Sequence, residues 1–266
     1  MIKLRTLRRL LAAGATLAAA GCGQDAEEQA SQRSGSADDA AQTRSVAEPR
    51  GAPLPGEEDR PFAGLNAQHA RILRAGLVQG HFEAALERVA AGDVESGVHH
   101  VDVILSELTP LDADERWARV IAEAVETYKD RLAEDPPAVV LEASTRRVEA
   151  RILDAAAIGT PSEHARAVRT LLDEAARNYA AASDLGAALR ARAYQSARGY
   201  LLAAEMMFEA RSAEYAAIDP PAAQRVDAAF ADVHDTIEAM LGEAAAPEAS
   251  VRAAVTQLEL AFDPFY

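Results

Sequence analysis

The side chains in this sequence that are best suited to chemistry are histidines, and half of them fall within one stretch, Gly80–Leu108. His81, His99 and His100 lie on either side of a Gly-Asp pair, which is typical of a turn between two helices. Neutral imidazole is a good ligand for iron, copper or zinc, and a carboxylate or tyrosine can complete the ligand set. This stretch is therefore where the sequence favours a metal site.

Helical periodicity predicts that two of these histidines face the interior of the protein. His81 shares a helix face with Leu77, and His100 lies beside an apolar stripe that includes Val101. If the chain turns back at Gly92, the two helices form a hairpin and both imidazoles lie on its inner side. We therefore predict His81 and His100 as metal ligands, with iron or copper as the metal. A hydrogen-bonded histidine of the core is the competing interpretation for each of them.

His99 and Asp102 are one helical turn apart, which is also a chelating spacing. Both fall on a polar face that includes Glu95. We therefore expect them to form a solvated surface.

The motifs of several enzyme classes are missing from the sequence. It contains no Glu-x-x-His of the di-iron bundles, no His-Glu-x-x-His of the zinc proteases, and no phosphate-binding or dinucleotide fingerprint. The chain has a single cysteine, and no nucleophile has a recognisable base beside it. A hydrolase would need both, so we expect that the protein is not an enzyme.

Apolar residues recur every three or four positions almost throughout the sequence after residue 62. This spacing predicts an all-α fold, an antiparallel bundle of seven or eight helices without a sheet. One long helix is expected over Ala187–Ile218. Gly76 and Gly80, one turn apart, should let a neighbouring helix approach closely. The predicted helices are separated by Gly92-Asp93, Thr109-Pro110, Pro136-Pro137, Gly159, a break or kink near Ser183–Gly186, Pro220-Pro221 and Pro247.

The start of the chain resembles a bacterial lipoprotein signal. Four basic residues precede a short apolar run, and small residues lead to Cys22, the only cysteine in the chain. We predict a signal peptide over residues 1–21 and a lipid on Cys22 that anchors the protein to a membrane. A cleaved signal followed by a stray cysteine is the alternative. The expected location is the cell envelope, on the periplasmic face of the outer membrane.

The composition divides the remainder into a linker and one domain. Residues 22–61 have almost no large apolar side chains, so we expect a disordered linker there and a helical-bundle domain over residues 62–266. The formal net charge of the chain is −15. An acidic protein of this kind repels nucleic acid, so nucleic acid is not an expected partner.

Two regions resemble exported bacterial helical domains of the imelysin-like and iron-permease-linked kinds. The first runs from Gly80-His81 to Leu108, and the second includes Tyr194–Tyr200 and Val226–Phe230. The resemblance implies a helical bundle that works in metal uptake. It also makes Tyr194 and Gln195 candidate metal ligands from a facing helix.

Two functions therefore remain open. The first is a lipid-anchored extracytoplasmic lipoprotein, related to iron-uptake domains, that binds a transition metal weakly. The second is a metal-free scaffold or adaptor that binds a protein partner of the envelope. A real metal site would make the stability of the fold depend on metal, whereas a scaffold would not.

Overall fold

The computed structural model describes residues 62, 64–112, 115–238 and 247–266 of the chain. These residues form nine α-helices and one short 3-10 helix and contain no strand, so the all-α prediction is confirmed. The predicted signal peptide, Cys22 and the linker lie outside the described residues. The helices are α1 (Ala67–Ala90), α2 (Val94–Asp112), α3 (Arg116–Ala133), α4 (Ala138–Ala156), α5 (Pro161–Ala182), α6 (Ala187–Ala210), α7 (Ser212–Ile218), α8 (Pro220–Glu238) and α9 (Glu248–Phe262), and the 3-10 helix covers Asp263–Phe265.

The first four helices form one bundle, in which each helix packs on the next and α4 returns to pack on α1. Its core contains large buried side chains from all four helices, among them Phe82, Ile104, Tyr128 and Ile152. Phe82 and Tyr128 meet edge to face, with ring centroids 5.1 Å apart. Burial of each such side chain contributes about 1.5–3 kcal/mol, so this core holds the four helices together.

A second bundle consists of α5, α6, α8 and α9, with the short helix α7 between α6 and α8. Helix α5 packs on α6 and α9, and α8 packs on α9. Helices α6 and α8 meet through Phe208 and Phe230, whose ring centroids are 5.9 Å apart. Tyr215 of α7 and Phe262 of α9 join the same aromatic cluster. The second bundle is thus closed around its own core.

Helix α1 belongs to both bundles. It packs on α2 and α4 of the first bundle and on α5 and α6 of the second. Val78 and Phe82 lie in the first core, whereas Leu73 and Leu77 lie in the second. A helix that is buried on nearly all sides is typical of the centre of a large domain. Helix α1, which carries His81, therefore lies at the centre of the helical domain.

Two of the predicted helix boundaries are confirmed by their local geometry. Thr160 accepts a hydrogen bond from the Glu163 amide while the Glu163 carboxylate accepts one from the Thr160 amide, which is a complete capping box before α5. Gly92 has a φ of 81°, in the left-handed region that favours glycine. The turn at Gly92 joins α1 to α2 as the sequence predicted.

Other boundaries differ from the prediction. Helix α2 runs through Pro110 to Asp112 instead of ending at Thr109-Pro110. Ser183–Gly186, which the sequence predicted as a break or a kink, is a full break between α5 and α6. The helix expected over Ala187–Ile218 is interrupted at Arg211, whose guanidinium donates to the carbonyl oxygen of Gly159.

The predicted apolar faces are largely buried, with one clear exception. The helical spacing also predicts that Val94, in the first turn of α2, points inward, but this residue is 43 % exposed. The spacing also predicts that Ile237 and Met240 face inward, but both side chains lie outside those that the structure describes. In the described part of the chain, no helix is both long and apolar enough to cross a membrane.

Candidate functional site

The candidate site is positioned by a close contact between α1 and α6. A Cβ atom on Gly199 of α6 would overlap the backbone carbonyl of Gly80 of α1, so both helices need glycine where they meet. This contact confirms the close approach that Gly76 and Gly80 predicted. The residues that follow the two glycines are His81 and Tyr200, and their rings meet edge to face with centroids 5.4 Å apart.

A chain of hydrogen bonds links four side chains across α1, α2 and α6. The Tyr200 hydroxyl lies 3.0 Å from Nε2 of His81. Nδ1 of His81 lies 3.3 Å from Nδ1 of His100 on α2. Nε2 of His100 lies 3.0 Å from the side-chain oxygen of Gln195 on α6. The structure therefore brings His81, His100 and Gln195 together, three of the four side chains proposed as ligands from the sequence.

The Gln195 oxygen determines which nitrogens carry protons along this chain. Because an amide oxygen only accepts, Nε2 of His100 must donate to it, and Nδ1 of a neutral His100 is then an acceptor. Nδ1 of His81 donates to that acceptor, which leaves a lone pair on Nε2 of His81. The Tyr200 hydroxyl donates to this lone pair. Each of the two imidazoles is thus held in one tautomer.

Burial keeps both imidazoles neutral. The exposed fraction is 5 % for His81 and 1 % for His100. Burial lowers the pKa of His81 well below its usual value, and the neighbouring His100 lowers it further. Burial also lowers the pKa of His100 to about 4, against the opposing effect of its bond to Gln195. Neutral imidazole is the form that binds metal ions.

Glu107 brings a carboxylate to the same place from α2. Its Oε1 lies 3.7 Å from Nε2 of His81. The Glu107 side chain is 34 % exposed, whereas the His81 side chain is 6 % exposed. Glu107 therefore places a partly exposed carboxylate beside the buried histidine.

The other residues considered from the sequence are not part of this hydrogen-bonded chain. Tyr194 packs on Tyr179 of α5, with ring centroids 4.9 Å apart, at the edge of the second core. Asp102 forms an ion pair with Lys129 of α3 at 2.5 Å. His99 is half-buried, and its ring meets that of His100. Tyr194 and Gln195 are neighbours in sequence, but a helix turns successive side chains about 100° apart, so only one of them can face the site.

Sequence reasoning missed Tyr200 and Glu107. Both lie within the stretches that carried the family resemblance, but neither was selected as a ligand. The signal that could have found Tyr200 is the pair of Gly-aromatic dipeptides, Gly80-His81 and Gly199-Tyr200. In the structure the two helices touch at these glycines, and the aromatic rings that follow them meet.

The comparison with protein families concerns the second bundle. Residues 155–265 match the iron permease-associated 4-helix bundle domain. The match begins at the end of α4 and covers α5 to α9. It therefore includes all four main helices of the second bundle. It links this chain to helical domains associated with iron permeases. No curated protein and no solved structure matches the chain.

The candidate site lies where the matched region meets the first bundle. Gln195 and Tyr200 are inside the matched range, and His81, His100 and Glu107 are outside it. Within the described ranges, no three side chains of the histidine, cysteine, aspartate and glutamate types form a group that could hold a metal ion. Any metal site here would therefore need the tyrosine or the amide as well.

Proposed function

We propose that this protein is an exported lipoprotein of the cell envelope that takes part in iron uptake by binding a transition metal ion in its helical domain. The family match supports the link to iron uptake. The observation that carries the metal-binding proposal is the buried chain of Tyr200, His81, His100 and Gln195, with the Glu107 carboxylate beside it.

The residues present fit a transition metal in their chemistry. They offer neutral imidazole nitrogen, a carboxylate and a phenol, which together suit iron or copper. The two imidazoles cannot chelate one ion as they stand. Their ring centroids are 5.6 Å apart and their Nδ1 atoms are 3.3 Å apart. At these distances the two Nδ1 atoms point at each other. An ion would therefore bind at the Nε2 side of His81.

Metal-dependent stability tests this function. We expect the thermal midpoint of the full-length chain, purified in detergent, to rise when iron, copper or zinc is added. A ligand at a hundredfold excess over its Kd stabilises a fold by about 2.7 kcal/mol. The rise should disappear in His81→Ala and persist in His99→Ala, which removes an imidazole that is nearby but outside the hydrogen-bonded chain.

The alternative is a metal-free scaffold or adaptor that binds a protein of the envelope. One observation favours it, because every nitrogen of the two imidazoles already has a hydrogen-bonding partner in the fold. If no metal raises the thermal midpoint, the metal-binding function is wrong and this alternative replaces it.

The membrane anchor is a separate part of the proposal, and it rests on the sequence around Cys22. We expect the protein to incorporate labelled fatty acid and to fractionate with membranes. Cys22→Ser should abolish both without changing the thermal midpoint of the helical domain. Labelling that survives this substitution would contradict lipid attachment at Cys22.

A further inference from the structure

We propose that the site binds ferric iron through three ligands, Nε2 of His81, the carboxylate of Glu107 and the phenolate oxygen of Tyr200. His100 and Gln195 are positioning residues that hold His81 in the tautomer this requires. The inference rests on the proposed metal-binding function and adds the identity of the ion and its ligands.

The spacing of the three donor atoms supports this set. Ligands that each lie about 2.1 Å from one ion are roughly 3 to 3.5 Å from one another. The Tyr200 oxygen is 3.0 Å and Oε1 of Glu107 is 3.7 Å from Nε2 of His81. The three atoms come from α6, α2 and α1, so the ion would be bound by three helices at once. Both oxygen donors are thus at, or within a few tenths of an ångström of, the distance from His81 Nε2 that a shared ion would set.

The hydrogen-bonded chain prepares His81 as a ligand. With a proton on Nδ1 directed at His100, the lone pair of His81 lies on Nε2, the nitrogen that faces Tyr200 and Glu107. Metal-bound histidines generally donate their other N–H to a neighbouring acceptor, which fixes the ring and raises the basicity of the ligating nitrogen. Here the acceptor is His100, and Gln195 fixes His100 in turn.

The oxygen donors determine which ion the set favours. When the ion binds, the O–H bond of Tyr200 breaks, its electron pair forms the bond to iron, and its proton leaves to solvent. Phenol holds its proton up to a pKa of about 10, so only a strongly polarising cation displaces that proton at neutral pH. Ferric iron has the highest charge among the ions considered and prefers oxygen donors. The phenolate and carboxylate would neutralise two of its three charges in a buried site.

The solvent side of the site provides a path for the ion. Tyr200 and His81 are buried, whereas about a third of the Glu107 side chain is exposed. The chain as a whole carries a net charge of −15, which attracts cations. An arriving ion would meet the Glu107 carboxylate first and then the buried imidazole and phenol.

Visible absorption is the test, because a phenolate bound to ferric iron gives a charge-transfer band that no other ligand of this set produces. The full-length chain in detergent is mixed with ferric nitrilotriacetate and separated from excess reagent, and its iron content and spectrum are recorded. We expect one iron per chain and a coloured complex. Resonance Raman scattering excited in that band should show tyrosinate vibrations, a readout that needs no substitution.

Matched variants assign the ligands. Tyr200→Phe removes one hydroxyl group and should abolish the band, whereas Tyr194→Phe, six residues earlier on the same helix, should retain it. His81→Ala and Glu107→Gln should each weaken iron binding at least tenfold. His100→Ala should weaken it by about 10–100-fold and shift the band, and His100→Asn, whose oxygen can accept the same hydrogen bond, should recover part of the loss.

The outcomes separate this inference from the function on which it rests. Iron that binds without a charge-transfer band overturns the ligand set and leaves metal binding intact. Stabilisation by copper or zinc without ferric binding overturns the choice of ion. If no metal binds at all, both the inference and the metal-binding function fail.

Discussion

Glu83 is the residue at which protonation and folding are most closely linked. It lies on α1 with 6 % of its surface exposed, and it accepts a 2.7 Å hydrogen bond from Gln79. Burial, together with the nearby Glu149 carboxylate, raises the pKa of Glu83 to about 8, against the lowering effect of the hydrogen bond from Gln79. The carboxyl group is therefore protonated in the folded protein at neutral pH.

This raised pKa predicts that the fold loses stability through Glu83 as the pH rises from about 4.5 to about 8. Between the ordinary value of 4.5 and about 8, the folded state binds a proton that the unfolded state has lost. Stability from this group is thus fully present below pH 4.5 and is lost as pH rises, by at most about 1.4 kcal/mol per pH unit. Urea unfolding at pH 7 and pH 8 should show that the wild type loses more stability than Glu83→Gln.

The comparison needs a carboxylate that is not buried. Glu126 is exposed on α3, so Glu126→Gln should follow the pH dependence of the wild type. If Glu83→Gln loses as much stability as the wild type over this range, Glu83 does not hold the proton that its burial implies.

The packing role of Gly199 can be measured with a single substitution. A Cβ there would overlap the backbone carbonyl of Gly80, which cannot move without separating α1 from α6. Overpacking of this kind costs about 3 kcal/mol, against about 1 kcal/mol gained from the better helix propensity of alanine. We expect Gly199→Ala to lower the free energy of unfolding by about 2 kcal/mol, measured by urea denaturation.

Gly186 provides the control for this substitution. A Cβ at Gly186, at the start of the same helix, would meet no heavy atom within 4 Å. Gly186→Ala should therefore cost less than about 1 kcal/mol, the penalty for alanine at a helix N-cap. If both variants lost the same free energy of unfolding, α1 and α6 would be less closely packed at Gly199 than the structure indicates.

At the scale of helices, the boundaries that could be predicted are those that depend on only a few neighbouring residues. The capping box at Thr160 and the left-handed glycine at Gly92 each satisfy or redirect the backbone within a few residues. The break at Arg211 could not be predicted in this way, since it accompanies a hydrogen bond to Gly159, which is 52 residues away in the chain. A tertiary contact of that range has no local signal.

In the candidate site, too, some features could be predicted from the sequence and others could not. The burial of His81 and His100 could be predicted because it depends on periodicity within single helices. It could not be predicted that Tyr200 and not Tyr194 faces the site, because this depends on where α6 crosses α1. Only the contact of Gly80 with Gly199 fixes that crossing, and the sequence does not say which pair of glycines will meet.

The capping box of α5 gives a prediction at this scale. Thr160→Ala removes the acceptor for the Glu163 amide and should lower the free energy of unfolding by about 1 kcal/mol. Thr170 lies on an exposed face inside the same helix, so Thr170→Ala should stay within about 0.5 kcal/mol of the wild type. Chemical denaturation of both variants distinguishes a cap from general sensitivity of α5.

At the scale of the whole molecule, α1 makes the two bundles depend on each other. Leu73 and Leu77 face the second core while Val78 and Phe82 face the first, so neither core is complete without this helix. The hydrogen-bonded chain adds polar links between the bundles, because Tyr200 and Gln195 on α6 bind histidines of α1 and α2. Loss of one bundle would expose apolar surface of the other.

This dependence predicts that the described helices unfold in one transition. Trp117, the only tryptophan, packs against the first core, so its fluorescence reports on α1 to α4 alone. Far-ultraviolet circular dichroism reports on all the helices. We expect the urea midpoints from the two signals to coincide, as they do when unfolding is cooperative. A fluorescence midpoint clearly below the dichroism midpoint would mean that the first bundle unfolds while the family-matched bundle persists, and that α1 does not couple the two cores.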